Sequence, residues 1–245
     1  MKSKFILSVL LLLGAVFSIH AQDANAIVRA SRNRIKADTV STRSRMVLQA
    51  KDGPNGARSV IVFQQPASVA GSRFLTMENK NAPDDRWIFM PNLGKVRRIA
   101  ASEGSGSFMG TDFSFDDISS TSRNADLDTH TFLKEENLSA TPCYVIQSVP
   151  KDGAYQYSKM VQWIAKDTSI IMKIELYDRR NTLIKTVEMS GVKNIQDKLT
   201  VTVTKMTTHA AGTSTTITNE IVKYNDPVPE GVFTTAYLET GKVSR

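Results

Sequence analysis

Residues 86–99 read RWIFMPNLGKVRRI, and this stretch shows on a small scale how the whole chain is built. An aromatic and β-branched run leads into the turn Pro91-Asn92-Leu93-Gly94, and a second run with valine and isoleucine follows. Such runs on both sides of a turn that contains proline and glycine indicate paired strands. The next stretch, residues 104–118, reads GSGSFMGTDFSFDDI and differs in kind, because glycine and serine lead into phenylalanine, methionine and aspartate.

The same strand-and-turn pattern extends in both directions from this stretch. Residues 44–51 and 57–65 flank a turn-rich segment and predict a hairpin. Residues 198–208 alternate between apolar and threonine side chains, as expected of a half-buried strand. The other predicted strands cover residues 72–78, 85–90, 95–100, 129–135, 143–150, 155–165, 169–178, 183–190 and 213–224.

About a dozen strands joined by short turns predict antiparallel pairing in one sheet, which must curl into a barrel or partial barrel or fold into a sandwich. Helices are few in this pattern. We predict one over residues 23–36, one within residues 112–127 and a short turn near the C-terminus. An incomplete barrel with helices across its open face accommodates both the many strands and the few helices.

The N-terminus has the pattern of a secretory signal. Lys2 and Lys4 precede an apolar run over residues 5–17, and Ala21 supplies a small residue for cleavage. The run is too short to span a bilayer comfortably. We therefore expect residues 1–21 to be removed, and residues 22–245 to form one soluble, monomeric domain in the periplasm.

Composition argues against several function classes. Without the two signal lysines the net charge falls from +7 to about +5, with no basic stripe of the kind that nucleic-acid binding requires. The lone Cys143 reads as a small buried hydrophobe, and it cannot form an internal disulfide. His130 and His209 have no acids at ligand spacing, and no nucleophile–base motif occurs. We expect no metal, no cofactor and no enzymatic activity.

The segment over residues 86–118, with WxxxPxxxxVRRI followed by GSFMGxDFSxxDI, resembles the outer-membrane lipoprotein-sorting protein family, distant relatives of the periplasmic lipoprotein carrier LolA. The resemblance implies an unclosed antiparallel barrel of about eleven strands, with helices that cover its concave face. It also implies an apolar cavity that accepts the acyl chains of lipoproteins or lipids for transport toward the outer membrane. The implied partners are an inner-membrane ABC or RND-type exporter and an outer-membrane acceptor.

This chain departs from the pattern of the classical carrier at one place. The classical carrier has an Arg-Pro pair after its second long strand, and the arginine couples opening to loading. The matching place here is Gln65-Pro66, so the arginine is replaced by glutamine. This implies different loading or different cargo.

The candidate binding residues fall into two groups. Flexible glycines beside large apolar side chains suggest a movable lid over residues 108–118, whereas an ordinary core loop is the alternative. The expected cavity and lid residues are Val60, Val62, Trp87, Phe89, Phe108, Met109, Phe113, Phe115 and Ile118. Arg73, Arg97 and Arg98 are candidate contacts to a headgroup or partner, although a basic run is typical of a solvated strand edge.

Three other functions remain open at this stage. One is a periplasmic domain that senses lipids or lipoproteins, which normally requires a second domain. Another is an accessory lipid-binding partner of an inner-membrane exporter. The third is a lipid enzyme, for which the necessary constellation of residues is missing. The adjacent Asp116 and Asp117 resemble a solvated helix terminus more than an acid–base pair, since neighbouring side chains point in different directions.

Overall fold

The structure is a computed structural model that describes residues 23–37, 39–44, 46–51, 58–63, 70–79, 84–119 and 123–243. The predicted signal and the Gln65-Pro66 pair lie outside these residues. Within them, no helix combines the length and apolar character needed to span a bilayer.

The described chain is dominated by β-strands, with three short α-helices. The helices are α1 (Ala24–Arg32), α2 (Phe115–Ser119) and α3 (Thr235–Thr240). The first strands are β1 (Thr39–Ser44), β2 (Met46–Lys51), β3 (Arg58–Phe63), β4 (Arg73–Met77), β5 (Asp85–Met90) and β6 (Lys95–Ile99). The later strands are β7 (Asp128–Leu138), β8 (Thr141–Pro150), β9 (Lys159–Ala165), β10 (Ile171–Tyr177), β11 (Leu183–Ser190), β12 (Lys193–Ile195), β13 (Lys198–Thr200), β14 (Val203–Thr208) and β15 (Thr213–Tyr224).

Thirteen of the described strands form one antiparallel sheet in the order β6-β5-β4-β3-β2-β1-β15-β14-β11-β10-β9-β8-β7. The remaining two, β12 and β13, pair only with each other. The sheet is therefore two meanders, joined where β1 pairs with β15, and it does not close. The prediction of an unclosed antiparallel barrel with few helices is confirmed.

Local sequence explains where the helices begin and end. The Asp23 carboxylate accepts hydrogen bonds from the backbone of Asn25 and Ala26, which caps α1. The α1 helix ends at Arg32 with Asn33 as its C-cap, earlier than the predicted residue 36. Thr234 caps α3 in the same way, and Gly241 ends it with a φ of 66°, a left-handed conformation that glycine adopts without strain.

Both faces of the sheet at β3–β5 are covered, because alternate residues of a strand point to opposite sides. We call the side that carries Ile61, Phe63, Phe74 and Ile88 the plug face, since residues 101–119 cover it. We call the opposite side the helix face, since α3 and the segment before it cover it. At the far end of the sheet, α1 packs over β7–β10 on the side of Ile146 and Ile164.

The long strand predicted over residues 198–209 is interrupted in the structure. It divides into β13 and β14, and Thr202 between them donates a hydrogen bond to the carbonyl of Gly191. Thr200 and Thr202 are both buried, with Thr200 against the hydroxyl of Tyr224. An alternating pattern cannot reveal such a break, because it depends on contacts with distant residues.

Candidate functional site

The plug, which we define as residues 101–119, places its large side chains in the interior. Phe108 is 1% exposed and lies at the centre of an aromatic group on the plug face. Its ring centroid is 5.0 Å from that of Phe74, 5.3 Å from Phe63 and 5.4 Å from Phe115. Phe113 and Ile118 are buried in the same cluster. The plug therefore fills the apolar space beside the plug face with its own side chains.

The plug backbone is a compact hairpin-like loop. The amide of Phe108 donates to the carbonyl of Phe113 over 2.7 Å, and Thr111 donates to Phe108 over 3.0 Å. Between them Met109 and Gly110 have φ values of 55° and 75°, the signs expected of a type I′ turn. A methionine in this conformation is unusual and indicates local strain, so the tip of the plug is held by its surroundings.

The sequence suggested that the plug glycines give the lid freedom to swing, but Gly104 serves a different purpose. A Cβ atom at this position would lie 2.3 Å from the Asp116 carboxylate, so the carboxylate that pairs with Arg86 would have to move. The Gly104 carbonyl also accepts a hydrogen bond from the amide of Asp116. This glycine permits close packing within the plug.

Three aspartates bind the plug to the sheet. Asp116 pairs with Arg86 of β5 at 2.6 Å. Asp117 accepts a hydrogen bond from the Tyr157 hydroxyl at 2.8 Å and pairs with Lys185 of β11 at 3.2 Å. Asp116 and Asp117 do point in different directions, but they are mostly buried and paired, so the interpretation as a solvated helix terminus is wrong.

The third aspartate, Asp112, reaches the β14–β15 hairpin. Its carboxylate accepts hydrogen bonds from the hydroxyls of Thr213 at 2.5 Å and Thr215 at 2.7 Å. Burial would raise the pKa of Asp112, but these hydrogen bonds outweigh burial and lower it. Together the three aspartates, which we call the latches, connect the plug to strands from both meanders.

The first turn of α2 is fixed by a reciprocal cap. Ser114 Oγ accepts from the amide of Asp117, and the Asp117 carboxylate accepts from the amide of Ser114. Asp117 therefore caps α2 and also binds the sheet. Its neighbour Tyr157 has a pKa raised above the ordinary value by burial and by the Asp117 charge, so its hydroxyl stays protonated and donates.

Methionine is frequent around the aromatic group. Two methionines are buried in the plug cluster and three more pack against it: Met160, Met206, Met90, Met109 and Met189. A flexible, polarizable thioether fills irregular apolar space and adapts when its neighbours change. The packing around Phe108 is therefore adaptable.

Four of the predicted cavity residues lie on the other side of the sheet. Val60, Val62, Trp87 and Phe89 share one face, as their parity predicts, but this is the helix face. They belong to the cluster of Leu75, Phe233 and Leu238 beneath α3. The expectation that they line one cavity with Phe108 and Phe113 is corrected, because adjacent residues of β3 and β5 face opposite ways.

The three predicted headgroup arginines are engaged within the protein. Arg73 donates to the carbonyl of Leu238 at 2.7 Å and stacks over the ring of Phe89, so it caps the end of α3. Arg97 pairs with Glu103 at 2.6 Å, and Arg98 pairs with Asp85. Arg97 and Arg98 lie on β6, an outer strand of the sheet, as the solvated-edge alternative predicts.

The surroundings of Cys143 and His209 suit a structural role. Cys143 is fully buried, and burial raises the pKa of its thiol, which disfavours a reactive thiolate. His209 lies against the Thr186 hydroxyl. No group of metal ligands occurs among the residues that the structure describes.

Sequence reasoning missed the latches. Asp112, Asp116 and Asp117 were visible as acids within an apolar segment, but their partners Arg86, Lys185, Thr213 and Thr215 lie on distant strands. Only the fold brings these residues together.

Comparisons with known proteins agree with this architecture. A family model described as that of an uncharacterized protein matches residues 55–240. An outer membrane lipoprotein-sorting protein domain from Vibrio parahaemolyticus is 27% identical with a TM-score of 0.81, over 88% of this chain and 98% of that one. A DUF1329 family protein from Desulfovibrio piger is 26% identical with a TM-score of 0.80, over 88% and 97%.

A LolA superfamily protein from Nitrosomonas europaea shares the fold at 22% identity, with a TM-score of 0.65 over 87% of this chain and 98% of that one. A search of the curated proteins finds no match to this chain.

Proposed function

We propose that this chain, which belongs to the family whose model matches residues 55–240 and which resembles an outer membrane lipoprotein-sorting protein domain, is a periplasmic, non-enzymatic carrier of acyl chains. In this proposal the acyl chains of a lipoprotein or lipid replace the plug side chains on the plug face. The fold itself suggests sorting or carrying. The observation that carries the finer proposal is the plug, an apolar segment seated in the core and connected to the sheet by polar latches.

The energetics of such an exchange set the burial of the acyl chain against the contacts that the plug gives up. Burial of one methylene group contributes about 0.8 kcal/mol, so a C16 chain supplies on the order of 10 kcal/mol before ordering costs. The plug must leave for the chain to enter. Its phenylalanines then lose their contacts in the core and its aspartates exchange protein partners for water, so the acyl chain must offset both costs.

The adaptable surroundings support the same proposal. The methionines around Phe108 can repack against an acyl chain, because their side chains are unbranched and flexible. On this proposal an inner-membrane ABC or RND-type exporter delivers the cargo, and an outer-membrane acceptor of higher affinity removes it.

The decisive experiment measures binding of an environment-sensitive fluorescent C16 acyl probe to the purified protein. We expect saturable binding, and we expect Met109→Asp to weaken it about tenfold or more, because a charge in an apolar site is costly. Met109 is half-buried at the tip of the plug, so the variant should fold. Phe113→Asp is less informative, since Phe113 is 5% exposed in the main core and its loss would unfold the protein.

Leu93→Asp is the matched control, because Leu93 lies 51% exposed in the turn between β5 and β6. It should leave probe affinity unchanged. Absence of saturable binding to the wild type, or unchanged binding to a folded Met109→Asp variant, would contradict the proposal.

A further inference from the structure

A glutamine lies deep in the apolar interior of the sheet. Gln162 of β9 is 1% exposed. Met160 and Ile164, two residues away on either side, belong to the clusters beneath the plug and beneath α1. Its neighbours across the ladder are Ile146 of β8 and Ile174 of β10. An amide among such side chains must find hydrogen-bond partners or lose stability.

A chain of hydrogen bonds fixes the orientation of this amide. His130 Nε2 lies 2.9 Å from the carbonyl of Ala125, so this nitrogen carries a proton and donates. In the neutral ring Nδ1 then accepts from the Ser148 hydroxyl, at 2.7 Å. The Ser148 hydroxyl donates its only proton to His130 Nδ1. Its oxygen therefore accepts the hydrogen bond from Gln162 Nε2, also at 2.7 Å. The chain thus assigns the amide nitrogen to Ser148 and leaves the oxygen for another partner.

Gln162 Oε1 has no hydrogen-bond partner among the described residues. A buried acceptor in this state destabilises the fold until a donor reaches it. A second such atom lies in the interface between α1 and the sheet. Ser31 is 5% exposed on the buried face of α1, one turn after Val28, and its Oγ also lacks a partner within the described residues. Val28, one turn before Ser31, belongs to the same cluster as Ile146, the ladder neighbour of Gln162, so both unpartnered atoms adjoin the cluster beneath α1.

We propose that Gln162 and Ser31 form a polar site that recognises the amide linkage of an N-acylated cargo. The amide N–H donates to Gln162 Oε1, and the Ser31 hydroxyl donates to the amide carbonyl. The site lies at the border of the two clusters, since Ile174 and Met189 pack against both. An acyl chain held at the plug face therefore places its linkage there. The inference rests on the proposed carrier function and adds selectivity for amide-linked over ester-linked chains.

Two probes that differ in one atom test this selectivity. N-palmitoylethanolamine has an amide N–H where 2-hydroxyethyl palmitate has an ester oxygen, and each can compete with the fluorescent C16 probe. We expect the wild type to bind the amide about five- to tenfold more tightly, the value of one hydrogen bond. Gln162→Met keeps the length of the side chain and should reduce the ratio of the two affinities to about one. Gln162→Leu is a second variant with the same expectation, should the first not fold.

Gln147→Met is the matched control, because Gln147 pairs with Val161 and so lies on the opposite face of the sheet, where it should not affect the ratio. Ser31→Ala should weaken both probes by a similar factor, since both contain the carbonyl. Equal binding of both probes by the wild type, or an unchanged ratio in a folded Gln162→Met variant, would overturn this inference alone. A wild type that binds neither probe would overturn the proposed function as well.

Discussion

The plug and α3 cover opposite faces of the same strands, and they are held by different forces. Leu238 of α3 is fully buried against Val60 and Leu75, with one capping arginine at the helix end. The plug buries phenylalanines as deeply, but its three latches connect it to four other strands or loops through charged and hydroxyl groups. Water can replace a polar contact with little net loss, whereas it cannot replace apolar packing. On the proposed carrier function, α3 is the permanent cover of one face and the plug is the exchangeable cover of the other.

The largest effect on stability is expected on the helix face, at Leu238 of α3. Leu238→Ala should lower the free energy of unfolding by about 2–5 kcal/mol, because it leaves a cavity between α3 and the sheet. Affinity for the C16 probe should not change in the folded variant. Denaturant unfolding and probe titration measure the two quantities. A large loss of probe affinity would show that the helix face takes part in binding and would break the comparison.

A smaller effect is expected at the latch Asp117, where stability should fall and probe affinity should rise. Asp117→Asn removes the charge that pairs with Lys185 and should lower the free energy of unfolding by about 1.5–3 kcal/mol. Affinity for the probe should rise, because opening the plug then costs less. Asp126→Asn is the control, since Asp126 pairs with Arg29 at the surface and both side chains are more than half exposed. Lower affinity in the Asp117 variant would show that the plug binds the probe without moving.

The smallest effect is a pH dependence at Asp112. Its pKa is lower in the folded protein than in the unfolded chain, so its stabilising contribution is present above the ordinary carboxyl pKa of about 4 and is lost as pH falls further. We expect the wild type to melt at a higher temperature than Asp112→Asn at pH 6, and the difference to shrink toward pH 3. A difference that stays constant over this range would exclude an ionised latch at Asp112.

The two covers also differ in how far the sequence predicts them. Alternation within β3 and β5 correctly grouped Val60, Val62, Trp87 and Phe89 on one face. It could not show which cover lies over that face, because parity is a local property and α3 is more than 130 residues away along the chain. A lid over residues 108–118 was predicted from the glycines and phenylalanines of this segment; its large side chains are buried in the structure, and its movement stays a prediction.

The polar part of the site was beyond local reasoning. Asp117 has its partners Tyr157 and Lys185 on other elements, and Gln162 is one glutamine in a strand of ordinary composition. Their roles depend on long-range register, which a single sequence does not specify.

The pairing of β1 with β15 has a consequence for how the chain folds. Val40 pairs with Tyr224, so the seam between the two meanders joins residues that lie 184 positions apart in the chain. Each meander consists of neighbouring hairpins that can form early, but the seam must wait for a long loop to close. Until then β1 and β15 are open edges that can pair with another molecule. Closure of this seam is therefore the step at which a folding chain competes with aggregation, and truncation before β15 would leave the N-terminal meander without its partner.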